Sequence, residues 1–113
     1  MDAKTPRPLA RLRRKTTIEN LWLYVIAALL SEGETYAYRV RKVVEEKFGF
    51  KPSTVTLYTV IYRLEKEGLL ERDPTGVYRV TERGVEAFKE GVDYLQETVS
   101  KLRRVAWGGS HGP

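Results

Sequence analysis

Along most of this 113-residue chain the apolar positions recur every three or four residues, the spacing of helices with a buried stripe. Residues 17 to 30, with Thr16 or Thr17 as the cap, carry Ile18, Leu21, Trp22, Val25 and Leu29 on one side. Leu23, Ile26 and Leu30 form a second apolar line, which predicts that a partner subunit covers this helix as well. A second helix is expected from Thr35 to Phe48, burying Tyr36, Val40, Val43, Val44 and Phe48 and leaving Arg39, Arg41, Lys42 and Lys47 in water. Gly49 to Pro52 then makes a tight connection, with a glycine to end one helix and a proline that blocks its continuation.

Ser53 is a good cap for a third helix, in which Leu57, Val60, Ile61 and Leu64 face inward. Gly68 closes it, and the period then shortens: residues 69 to 72 and 77 to 80 read as two strands joined by the turn Asp73-Pro74-Thr75-Gly76. Thr81 opens a last helix of about 26 residues, roughly 39 Å at the helical rise. Its apolar residues Val85, Phe88, Val92, Leu95, Val99 and Leu102 alternate in steps of three and four, the seam by which one helix packs along another. Gly84 and Gly91, at the edge of that face, each cost about 1 kcal/mol against alanine, so close packing is expected at both. The expected class is mainly α with a small β-hairpin: a basic flexible arm over 1–16, a winged helix-turn-helix over 17–80, a dimerisation helix over 81–106 and a flexible tail over 107–113.

Charge sharpens this outline. Residues 1 to 15 hold six lysines and arginines against Asp2, and residues 36 to 63 hold six against Glu45 and Glu46. Residues 64 to 100 have the opposite balance, five cations and nine acids. The positive excess is thus concentrated in the N-terminal arm and around the third helix, which suits a polyanionic partner. A generic basic surface is the bland alternative. The chain has no cysteine, and its one histidine, His111, lies in a glycine-rich tail. Thiolate metal sites and histidine-dependent nucleophilic catalysis therefore lack their residues, no cofactor is expected, and an enzyme is the least supported class. No secretory core or membrane-length apolar run is present, so a cytoplasmic protein without a membrane partner is expected.

The third helix carries the candidate chemistry. Opposite its buried stripe stand Val55, Thr59, Tyr62 and Lys66, flanked by Thr56, Tyr58 and Arg63, with no acid among them. Hydroxyls, aromatics and cations on one face are what a helix needs to read a major groove. Thr56, Thr59, Tyr62 and Arg63 are the base-edge candidates. Ser53, Thr54, Tyr58, Lys66, Arg39, Arg72 and Arg79 are the phosphate candidates, although Arg72 and Arg79 also have Glu71 and Asp73 nearby as acidic partners. Val85, Phe88, Val92, Leu95, Val99, Leu102 and Trp22 are the expected dimerisation residues. A non-specific architectural DNA binder and a winged-helix protein-interaction module remain as alternatives. The first predicts steep salt dependence with little sequence preference.

Three stretches together resemble the PadR family of transcriptional regulators, in its short subclass with one C-terminal helix. They are Tyr36-Ala37-Tyr38-Arg39-Val40, then Ser53-Thr54-Val55-Thr56-Leu57-Tyr58 continuing through Arg63-Leu64-Glu65-Lys66-Glu67-Gly68-Leu69, and Tyr78-Arg79-Val80-Thr81-Glu82-Arg83-Gly84. Ala37 stands where the family usually has glycine, Thr54-Val55 replaces its usual Pro-Gly, and the wing turn is short. The resemblance implies a homodimer joined through the terminal helix, with help from the first, that binds a palindromic operator in double-stranded DNA and usually represses. It also implies, for some relatives, a small aromatic effector that releases the DNA, with tryptophans lining its site.

Overall fold

The computed structural model describes residues 4–108. Five helices and one hairpin follow in the order α1 (Arg7–Lys15), α2 (Leu21–Glu32), α3 (Ala37–Phe48), α4 (Thr54–Lys66), β1 (Leu70–Arg72), β2 (Tyr78–Val80) and α5 (Glu82–Trp107). A single 3₁₀ turn, Ile18–Asn20, leads into α2.

The core is apolar throughout. Leu21, Val25, Ile26, Ala28 and Leu29 of α2 meet Val40, Val43 and Val44 of α3 and Leu57, Ile61 and Leu64 of α4, with Leu70 and Tyr78 closing the wing side. Among the described residues no charged or polar side chain is buried with them. α2 packs against α3, α4, α5 and β2, which explains its two apolar lines. Ile26 of the second line is fully buried in the chain's own core and Leu23 touches α5, while Leu30 stays exposed. The second line is therefore largely satisfied within one subunit, because α2 lies between layers rather than on one.

The hairpin is antiparallel, with Leu70 opposite Val80, Glu71 opposite Arg79 and Arg72 opposite Tyr78. Thr35 adds a bridge on the far side of β2, exchanging backbone hydrogen bonds with Tyr78 at 2.8 and 3.2 Å. This corrects the expected start of α3: Thr35 is held extended as a sheet edge, and the helix begins at Ala37 after Tyr36. Tyr36 and Phe48, at the two ends of α3, are exposed rather than buried.

The N-terminal segment departs from expectation more strongly. In place of an irregular arm, α1 forms over Arg7–Lys15. Pro8 falls in the first turn, where no intrahelical N–H is required, and three cations occupy the last turn, where the helix dipole favours them. The hydroxyls of Thr16 and Thr17 donate to the carbonyls of Leu12 and Arg13, closing the helix. α5 has the expected start and length, with the Thr81 hydroxyl accepting from the Gly84 amide, and it extends through Trp107 to a left-handed Gly108. The remainder of the expected tail, including His111, lies outside the described residues.

Candidate nucleic-acid interface

α4 is fixed from both ends. Ser53 Oγ accepts from the Thr56 amide at 3.1 Å, satisfying one of the free donors of the first turn. Beyond the other end, Gly68 adopts φ 78°, and its carbonyl accepts from the Thr81 hydroxyl at 2.6 Å. The chain can therefore reverse directly into the hairpin, and Leu57, Ile61 and Leu64 anchor the helix from below.

The outward face is the one expected. Ser53, Thr54, Thr59, Tyr62, Arg63 and Lys66 are exposed, Thr56 and Tyr58 are half-buried, and Val55 is 76% exposed. The hydroxyls already have local partners: Thr59 Oγ1 donates to the Val55 carbonyl at 2.8 Å, and Thr56 Oγ1 lies 2.9 Å from Ser53 Oγ. Thr59 in this arrangement presents a free acceptor to an approaching base, complementary to an exocyclic amine. Arg63 and Lys66 have no ion-pair partner among the described residues.

The helix divides its candidates between two flanks. Thr56, Thr59 and Arg63, with Val55, form one wall of a groove of about 630 Å³, whose other walls include Ile18, Glu19, Trp22 and Ala87. Tyr58 and Tyr62 face the opposite way, into a smaller cleft of about 220 Å³ shared with Tyr36, Tyr38 and Tyr78. Tyr36 and Tyr38 stack nearly parallel, with ring centroids 5.7 Å apart. Their exposed rings join the α4 tyrosines in one aromatic group that the linear sequence did not disclose. Nothing local signalled it, because the group forms only once Thr35 pairs with Tyr78 of the wing and α3 packs against α4. Burial raises the pKa of Tyr78 above the usual phenol value.

The remaining phosphate candidates are occupied by acids. Arg39 donates to Glu32 at 2.9 Å, an ion pair that raises its already high pKa. Arg79 pairs across the hairpin with Glu71, and Arg72 lies 3.9 Å from Glu65 of α4 rather than against Asp73. Such exposed pairs are weak and exchange readily with a phosphate. Asp73 instead ties the wing: its Oδ1 accepts from the Thr75 hydroxyl at 2.6 Å, the Thr75 amide at 2.9 Å and the Val77 amide at 3.0 Å. Those bonds, the Thr75 hydroxyl foremost, hold its carboxyl below the usual carboxylate range.

The expected seam of α5 is split by depth. Val85 and Phe88 are half-buried against their own subunit, whereas Val92, Leu95, Val99 and Leu102 are 40, 41, 50 and 67% exposed. Trp22 is half-buried and lies against Gly91. Among the described residues no helix is long and apolar enough to cross a membrane, and no group of three histidines, cysteines or acids is placed to hold a metal.

This arrangement has close counterparts. The chain is similar to F93 from STIV, described as a winged-helix DNA-binding protein, at 25% identity and a TM-score of 0.62, covering 74% of this chain and 94% of that one. It is also similar to a transcriptional regulator from Clostridium thermocellum, Cth-833, at 26% identity and a TM-score of 0.63, covering 77% and 91%. No curated protein matches it significantly. The model of the transcriptional regulator PadR-like family matches residues 26–90, from α2 into α5, more than half of the chain. With a capped helix, α4, followed by a wing, the chain belongs to the PadR-like family of winged-helix, DNA-binding transcriptional regulators.

Proposed function

We propose that this protein is a sequence-specific repressor that binds a palindromic operator as a homodimer. Residues 17–80 form the reading unit and 81–106 the dimerisation helix. The observation that carries the reading is the outward face of α4, where hydroxyls, tyrosines and two unpaired cations project from a rigidly capped helix. Side chains of this kind hydrogen-bond to base edges while Ser53 and Thr54, at the helix start, meet phosphate. The exposed apolar seam of α5 supports the pairing of two chains, since four large side chains in heptad spacing are left open to water. Two-fold symmetry would then set paired α4 helices into successive major grooves about 34 Å apart.

Selection of random duplexes by the full-length protein at physiological salt tests the reading. A two-fold symmetric motif with half-sites near one helical turn apart is expected. Retention of DNA without any motif would replace it with the architectural reading, which the cation density of α1 favours. Failure to retain DNA would overturn both. Repression is checked separately by placing the selected motif over a promoter and comparing transcription with and without the protein.

A further inference from the structure

We propose that α1 is a second DNA-contacting element, which lays its cationic face along phosphates flanking the segment that α4 enters. The inference rests on the DNA-binding reading and extends it to an element outside the matched residues 26–90.

α1 holds Arg7, Arg11, Arg13, Arg14 and Lys15 in nine residues, without an acid. At the helical turn per residue, Arg14, Arg7, Arg11 and Lys15 fall within an arc of about 100°. Leu9 and Leu12 stand on the other side, 39 and 57% exposed. No residue of the helix is buried, so the arc is open along its whole length. Glu19 accepts from Arg14 at 3.1 Å and Lys15 at 2.6 Å, whereas Arg7, Arg11 and Arg13 have no acidic partner among the described residues. One carboxylate therefore balances a fraction of the charge. The two ion pairs hold the Glu19 carboxyl below the usual carboxylate range, Lys15 contributing most.

Position decides what this charge faces. Ile18 and Glu19 line the same groove as Val55, Thr56, Thr59 and Arg63 of α4. The residue that ties down the end of α1 thus lies at the rim of the reading face. The Asn20 side-chain amide also donates to the Lys15 carbonyl, so the junction is fixed from two residues. A duplex seated on α4 would continue past Glu19 toward the arginines, where backbone phosphate is the anion at hand. Two leucines make too small an apolar face for a membrane surface to be the better partner.

The test compares the full-length protein with its Arg7→Gln/Arg11→Gln/Arg14→Gln variant on the selected operator and on a short random-sequence duplex. Affinity is read by fluorescence anisotropy between about 50 and 200 mM salt. Each phosphate contact contributes about −0.9 to the logarithmic salt slope, so the variant's slope should be shallower by about 2.7 per protomer. Across that fourfold rise in salt the unmodified protein should lose roughly 40-fold more affinity than the variant for each protomer bound, and so on the order of 10³-fold more as a dimer. The loss should be equal on both duplexes, and the matching Arg→Lys triple variant should restore the slope. Unchanged slope and affinity would overturn the role of α1. A changed sedimentation mass with an unchanged slope would overturn it in favour of contact with a second copy. If the unmodified protein itself binds neither duplex, the DNA-binding reading fails at its base and this inference with it.

Discussion

Gly84 and Gly91 lie seven residues apart on one face of α5, yet an added methyl group meets different obstacles at the two positions. At Gly84 a Cβ would press into the Leu69 backbone carbonyl and come within 2.8 Å of Val80 Cγ1. The carbonyl cannot retreat without moving the junction of α4 and β1. Gly84→Ala is therefore expected to lose about 1 to 3 kcal/mol net in urea unfolding, despite gaining helix propensity. At Gly91 the nearest atoms are side-chain ends, Trp22 Cη2 at 3.0 Å and Leu23 Cδ2 at 3.1 Å. A shift of a few tenths of an ångström relieves them, so Gly91→Ala should stay within about 1 kcal/mol of the parent. Equal losses at both sites would refute the distinction. The sequence signalled close packing at both glycines, but not that its own α2 and hairpin supply it, since that depends on where α5 crosses α2. Arg63, exposed and without an ion pair, gives the corresponding test of reading. Arg63→Ala should weaken operator binding by about 1 to 3 kcal/mol and relax base preference if it grips a guanine. A fall of about 1 in the salt slope without lost preference would assign it to phosphate, and unchanged binding would remove it from the interface. Asp73 adds a pH dependence. Because its folded pKa is depressed, its stabilisation is present above the unfolded value of about 3.9 and is lost as pH falls through the lowered folded value. Asp73→Asn should accordingly lower the melting temperature at pH near 7, and its gap from the parent should narrow below about pH 4. A gap constant with pH would mean that the charge is not involved.

At the level of elements, legibility followed how locally each one is determined. α4 was readable almost completely, because its cap, stripe and closing glycine all lie within the helix or beside it. α5 was equally plain from its cap and heptad spacing. The start of α3 was not, since the pairing of Thr35 with Tyr78 is a contact between distant residues that overrides the capping tendency of a threonine. α1 escaped for a related reason: with two prolines nearby and no internal acid, its ties come from Thr16, Thr17, Glu19 and Asn20, all beyond its end. The exposure of the outward face of α4 was legible, but its division between a groove and a tyrosine cleft was not, because Tyr36 and Tyr38 arrive from the start of another helix. Thr81 joins two of these elements. Its hydroxyl accepts from Gly84 and donates to Gly68, serving the start of α5 and the close of α4 together. Thr81→Ala should cost about 1 to 2 kcal/mol in urea unfolding, and Thr81→Ser should recover most of it. A loss in both variants alike would assign the effect to the methyl group rather than to the hydroxyl.

The whole molecule is longer than a compact chain of its size. Its Cα radius of gyration is 16.2 Å, with extents of 53 × 34 × 21 Å. A compact domain of this length would have a radius of about 13 Å. The excess follows from α5, whose first turns pack on the reading unit while the residues after Gly91 run on into water. An isolated helix gains little from ordering so many exposed residues, and Val92, Leu95, Val99 and Leu102 add an apolar face left substantially open to water. A second α5 along this seam would cover those four side chains and place two α4 helices under one symmetry axis. The protein is therefore expected to sediment at about twice its 13.0 kDa chain mass. Leu95→Glu/Val99→Glu introduces charges into the seam while sparing Val85 and Phe88, which pack within the subunit. That variant should sediment as a monomer with its helical circular dichroism largely kept. It should also lose the preference for two half-sites while retaining weak, salt-sensitive binding to one. A variant that stayed dimeric would place the pairing surface elsewhere and leave the exposed end of α5 for a different chain.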